Sequence, residues 1–170
     1  MTSSLVGSEM CKETGITKLA IKLASPLPQL EGFERCLFIG PHPDDIEIGA
    51  GATAAKLAES GKAVAFLCCI DGRYGSASVP PEELIPVRQA EAKASAAALG
   101  VSDVRFLPFC DGGFYDAREL TAAIAKVVGD FKPDVIFCPD PQVKSECHPD
   151  HLNVLSLIHI SEPTRLDVIS

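Results

Sequence analysis

CLFIGPHPDDIEIGAGATAAKLAESGKAVAFLCCI (36–70) decides the fold. Its first five residues are a short apolar run, the length of a strand. An alanine-rich segment closing on glycine follows (49–61) and reads as a helix. AVAFLCCI (63–70) is a second strand, apolar throughout and therefore buried on both faces. The alternation continues downstream. PPEELIPVRQAEAKASAAALG (80–100) is expected to be helical from about Glu82. Pro80 and Pro81 mark its entry, Gly100 its stop, and Pro86 a break or kink near its beginning. VRFLPF (104–109) is a third strand, LTAAIAKVVGDF (120–131) a third helix and DVIFCP (134–139) a fourth strand. Apolar strands alternating with helices predict right-handed β-α-β units. The fold class is α/β, a Rossmann-like three-layer α/β/α arrangement with a mostly parallel sheet.

Sites in such sheets form beyond the carboxyl ends of the strands. PHPDD follows the first strand, DGRYG the second, CDGGF the third and PDPQVKSECHPDH the fourth. Every polar cluster is thus expected on one edge.

The bulk numbers exclude several function classes. The 170 residues are 46% hydrophobic and 22% charged, ordinary for a globular chain with a real core. Net charge is −8, from 15 basic and 23 acidic residues, and no basic run speaks for a nucleic-acid partner. The longest apolar stretches are strand-sized, so no membrane span is expected. The N-terminus lacks the basic and apolar regions of a secretory signal. The cysteines number seven and are scattered, with Cys36, Cys68, Cys69 and Cys138 inside apolar runs. That pattern fits buried thiols in a reducing cytoplasm rather than a disulfide framework.

His42, Asp44 and Asp45 follow one buried strand, and His148, Asp150 and His151 follow another. Three of the chain's four histidines lie in these two clusters; the fourth is His159. Imidazole and carboxylate together suit a catalytic zinc with three protein ligands and a position left for water. Hydrolysis also needs a carboxylate as base and a proton donor for the leaving group. The six residues supply that set, although spacing does not rank Asp44 against Asp45. The plainer reading, in which Asp-Asp after His-Pro only turns the chain and caps a helix, leaves the second cluster unexplained. Cys138 and Cys147 lack a Cys-x-x-Cys spacing and read as ordinary thiols.

PHPDDIEIGAG resembles the first signature of the LmbE-like (PIG-L) family of zinc-dependent N-deacetylases, and CHPDH resembles its second. RQAEAKASAAALG between them resembles the family's Arg-x-x-Glu helix ending in Leu-Gly. The resemblance implies a metal-dependent hydrolase that removes acetyl from an N-acetylglucosaminyl-type amide with a zinc-activated water. It makes His42, Asp45 and His151 the Zn2+ ligands and Asp44 the general base. It gives His148 the role of steadying the oxyanion or protonating the amine, and Asp150 that of orienting carboxylate. Arg88 and Arg73 are the substrate-binding candidates; a solvated helix pairing with Glu91 and a plain loop role are their respective alternatives. The implied partner is a small N-acetylated amino sugar, with oligomeric state left open. Many members read His-Pro-Asp-Asp-Glu, whereas here Ile46 follows and the acid is Glu47, expected to support the helix start.

A different class is represented by IGAGA (48–52), a glycine-rich helix entry that would cradle the phosphate of a dinucleotide, with Asp71 as ribose-binding acid. Its fingerprint is incomplete, because Ala54 stands where the third glycine belongs.

Domain boundaries are expected at an N-terminal extension (1–34), a partial deacetylase domain (35–154) and a tail (155–170). LSLIHISEPTR (155–165) back-translates to a string resembling the reverse complement of a transposase sequencing adapter. The tail is therefore expected to be non-native read-through, lying outside the fold. The alternative is an amphipathic helix continuing from His151. The family continues for many tens of residues past its second motif. The sheet is accordingly expected to be incomplete at the C-terminus, with an exposed edge, poor solubility and little turnover.

Overall fold

The computed structural model describes residues 30–140, 146–161 and 167–169. The chain divides into two compact units, Met1–Gly32 and Phe33–Ser170. Of the first, residues 30–32 are described, as a 3-10 turn; the rest of the expected N-terminal extension up to residue 29 lies outside the described residues.

The second unit is a parallel sheet between helices. Strands β1 (Arg35–Gly40), β2 (Ala63–Ile70), β3 (Asp103–Phe109), β4 (Val135–Phe137) and β5 (Asp167–Ile169) lie in the order β3-β2-β1-β4-β5. Every described pairing is parallel. Helices α1 (Asp45–Glu59), α2 (Pro81–Ala98), α3 (Ala117–Phe131) and α4 (Pro149–Ser161) connect or follow them. The α/β class and its parallel sheet are as read from the alternation.

Strand pleating sends alternate side chains to opposite faces. Leu37, Ile39, Ala65, Leu67 and Cys69 face α3 and α4, packing with Leu120, Ile124, Val154, Leu155 and Ile158, all fully buried. On the other face Phe38 stacks on Phe137, ring centroids 4.4 Å apart, and tilts against Phe66 at 5.7 Å. Each such side chain contributes roughly 1.5–3 kcal/mol on burial. Among the described residues, no helix is long and apolar enough to cross a membrane.

The strand order places the site. From β1 the chain moves outward to β2 and β3, then returns to the other side of β1 for β4. The loops after β1 and β4 therefore diverge at a topological switch point, where open α/β sheets bind ligands. PHPDD fills the first connection up to the start of α1, and CHPDH closes the second and opens α4.

Three elements differ from their expected bounds. α1 begins at Asp45, four residues before the glycines, because both acids of its first turn, Asp45 and Glu47, favour a helix N-terminus. α2 runs unbroken through Pro86, which is exposed and close enough to the start that only one backbone bond is forgone. Residues 155–161, expected outside the domain, continue α4. Val154, Leu155 and Ile158 recur at helical spacing and are buried.

Candidate metal centre

Two glycines shape the PHPDD loop. A Cβ at Gly40 would stand 2.9 Å from Ile46 Cγ1 and 3.2 Å from Asp45 Cβ, so only glycine lets β1 turn directly into α1. Gly72, at φ +67°, lies where a Cβ would meet Pro43 Cδ at 3.1 Å. Ile46 is buried against that strand end. The tight turn forces Asp44 to φ 150°, a conformation L-residues rarely adopt. Such strain costs about 1–3 kcal/mol and concentrates at functional sites.

The turn brings the two motifs together. The backbone N–H of His42 donates to Asp45 Oδ2 at 2.8 Å. The same oxygen lies 3.5 Å from His42 Nδ1 and 3.4 Å from His151 Nε2. The rings of His42 and His151 are 5.4 Å apart, and His148 stands 4.8 Å and 5.1 Å from them. Two donors each about 2.1 Å from one tetrahedral ion lie about 3.4 Å from each other, so this spacing fits a shared divalent cation. His151 Nδ1 meets Glu146 Oε2 at 2.8 Å, a carboxylate backing of the kind that fixes a ligand's ring. His42 presents its other nitrogen, Nε2, to Asp111 Oδ1 and Asp150 Oδ2, both at 3.2 Å.

The electrostatics agree with a cation. Burial opposes charge on His42, but the hydrogen bond to Asp45 and the negative charges of Asp45 and Asp111, with Asp150 accepting as well, outweigh it. The imidazole is pushed up to about 9. Burial would raise Asp45, yet hydrogen bonds from His42 and the charge of His151 hold it below the usual carboxylate range. Asp150 is also lowered: its burial is overcome by hydrogen bonds from Gly112 and Tyr115.

Beside this cluster opens a cleft of about 390 Å³, whose lining includes His42, Asp44, Tyr74, Arg88, Asp111 and His148. Asp44 is exposed and accepts from an Arg88 terminal nitrogen at 2.7 Å. The same nitrogen donates to the Pro43 carbonyl, and the other bonds Glu91 at 2.9 Å. Arg73 is turned to Asp71, at 2.8 and 2.6 Å, and to Glu82 at 3.0 Å, and is not among the residues lining the cleft.

IGAGA lies inside α1, behind the acids of its first turn, which disfavours a phosphate there. Asp71, the ribose-binding candidate of that reading, is occupied by Arg73. Burial pushes the Cys138 thiol up to about 11 and the Cys68 thiol up to about 12. Cys36, Cys68, Cys69, Cys110, Cys138 and Cys147 are free, and among the described residues no cysteine joins a cluster of metal donors.

Asp111, Tyr115 and Glu146 were not singled out from sequence. Asp111 sits in CDGGF, correctly placed on the binding edge but without a partner motif. Glu146 directly precedes CHPDH, and its position beside a ligand-type histidine is the signal that was available.

A family model described as PIG-L, GlcNAc-PI de-N-acetylase, matches residues 37–159. The diacetylchitobiose deacetylase of Thermococcus kodakarensis is 37% identical over 138 residues, covering 80% of this chain and 51% of that protein. The 1D-myo-inositol 2-acetamido-2-deoxy-alpha-D-glucopyranoside deacetylase of Kineococcus radiotolerans is 34% identical over 166 residues, covering 78% and 45%. Among solved structures, N,N'-diacetylchitobiose deacetylase from Pyrococcus horikoshii, complexed with its inhibitor MPG, superposes with a TM-score of 0.74 at 33% identity. That match covers 88% of this chain and 58% of the other. The chain spans about half the length of the curated relatives it matches.

Proposed function

The chain belongs to the PIG-L family, and from that membership we propose that it is a zinc-dependent N-deacetylase acting on an N-acetylglucosaminyl-type amide. The observation that carries the reading is the convergence of His42, Asp45 and His151, with Asp45 Oδ2 3.5 and 3.4 Å from the two imidazoles. The relatives' names give the substrate type: diacetylchitobiose in one, a 2-acetamido-2-deoxy-glucopyranoside of inositol in the other.

A zinc ion held by His42, Asp45 and His151 would supply Lewis acidity to a water and to the acetamide carbonyl. The chain's own residues do the rest. Asp44, at the cleft wall, accepts the proton of the attacking water as its oxygen bonds to the carbonyl carbon. His148, half-exposed and beside His42, donates to the carbonyl oxygen as charge develops or to the departing nitrogen. The C–N bond then breaks, leaving acetate and a free amine. Arg88 is the substrate-binding cation of the cleft wall. Arg73 would have to leave Asp71 to reach a sugar.

Acetate release from N-acetylglucosaminyl compounds, measured with and without chelator, tests the reading. Chelator-sensitive release is expected. Release that persists in excess chelator, or none from any such amide by a metal-loaded protein, contradicts it.

A further inference from the structure

The resemblance assigns Asp150 to His148, but the distances give it a different neighbour. Asp150 Oδ2 is 3.2 Å from His42 Nε2 and 3.9 Å from His148 Nδ1. His148 Nδ1 instead accepts the backbone N–H of Asp150 at 3.3 Å. Asp150 is wholly buried, whereas the His148 side chain is 45% exposed. The Asp150 carboxylate is itself fixed. Gly112 N–H donates to Oδ2 at 2.8 Å, and the Tyr115 hydroxyl donates to Oδ1 at 2.9 Å. Asn153 Nδ2 donates in turn to the Tyr115 oxygen at 3.4 Å. Asp111, also buried, takes the second acceptor place at His42 Nε2.

A neutral imidazole carries one proton, and whichever nitrogen holds it cannot bind a metal. Two buried carboxylates facing Nε2 hold the proton there and leave the Nδ1 lone pair toward Asp45 and His151. We infer that Tyr115 acts through Asp150, together with Asp111, as a positioning relay that sets the tautomer and donor strength of His42. The inference rests on His42 being a zinc ligand. Removing such a backing group typically weakens metal binding 10- to 100-fold.

The test uses the full chain and its Asp150→Asn and Tyr115→Phe variants, with two readouts. One is zinc affinity by competition with a chromophoric chelator. The other is proton NMR of the metal-free protein, looking for a downfield, slowly exchanging imidazole proton of His42. Asp150→Asn should weaken zinc binding about 10- to 100-fold and lose the downfield proton. Tyr115→Phe should act in the same direction by a smaller factor, and it keeps the ring in place should the asparagine variant fail to fold. Unchanged zinc affinity in the folded variants, with only turnover lost, overturns the relay and returns Asp150 to His148. A wild type that binds no zinc overturns the zinc reading and the relay with it, whereas zinc binding that the variants leave unchanged overturns the relay alone.

Discussion

Asp45 Oδ2 lies 3.5 Å from His42 Nδ1 and 3.4 Å from His151 Nε2, so one carboxylate oxygen joins the loop after β1 to the helix that follows β4. Loops distant in sequence meet at this oxygen because β4 pairs with β1. The carboxylates around the partly buried His42 favour its protonated form, and that proton sets how the site is expected to respond to pH.

His42 is pushed up to about 9 from an ordinary 6.5. A raised histidine stabilises the metal-free fold fully below pH 6.5, and this contribution is lost as pH rises through about 9. Thermal melting of metal-free protein should therefore show a decline over that window, on the order of 3 kcal/mol. Zinc binding must displace the same proton, so its apparent affinity should rise about tenfold per pH unit from 7 toward 9. A flat affinity across that range would show that binding displaces no raised His42 proton.

Asp44 combines a strained backbone with the proposed role of base. Asp44→Gly relieves φ 150° and should raise stability by about 1 kcal/mol, since glycine adopts this conformation freely. The same change, and Asp44→Asn, should lower kcat at least 100-fold with zinc content unchanged. Melting temperature, metal analysis and acetate release check the three parts. A glycine variant that is both less stable and still active would contradict them.

His148→Gln separates chemistry from metal binding. The His148 side chain is exposed on the cleft, and its ring nitrogen lies within 4.8 Å of donor atoms of His42 and His151, so its role as ligand or as proton donor is open to test. Zinc should be retained and turnover should fall by about 100- to 10,000-fold. Loss of zinc in this variant would instead make His148 a ligand.

The two arginines should behave differently. Arg88→Ala removes a cation from the cleft wall and should raise KM for an amino-sugar amide by about tenfold or more, the scale of a charged hydrogen bond. Arg73→Ala breaks contacts to the buried Asp71 and should lower the melting temperature with little change in KM. Steady-state kinetics on both variants decide which arginine meets substrate.

Much of this was legible in the residues. β2 spans 63–70 as read, because an unbroken apolar run bounded by Gly61-Lys62 and Asp71-Gly72 has no other compact solution. The start of α1 was not, since Asp45 serves as a first-turn acid and as a metal donor candidate, and the motif masked the helix. The switch point itself depends on β4 returning beside β1, a long-range pairing that no local pattern encodes. Asp111 and Tyr115 escaped notice for the same reason. Asp111 reaches His42 across 69 residues and Tyr115 reaches Asp150 across 35, and neither sits in a repeated motif.

The most direct test is the metal itself. The protein, freed of metal and then titrated with zinc, should bind about one ion per chain, as a three-ligand site implies. His42→Ala and His151→Ala should each abolish that binding while leaving the fold's circular dichroism intact. A wild type that takes up no zinc, or variants that bind it as tightly as the wild type, would contradict the account.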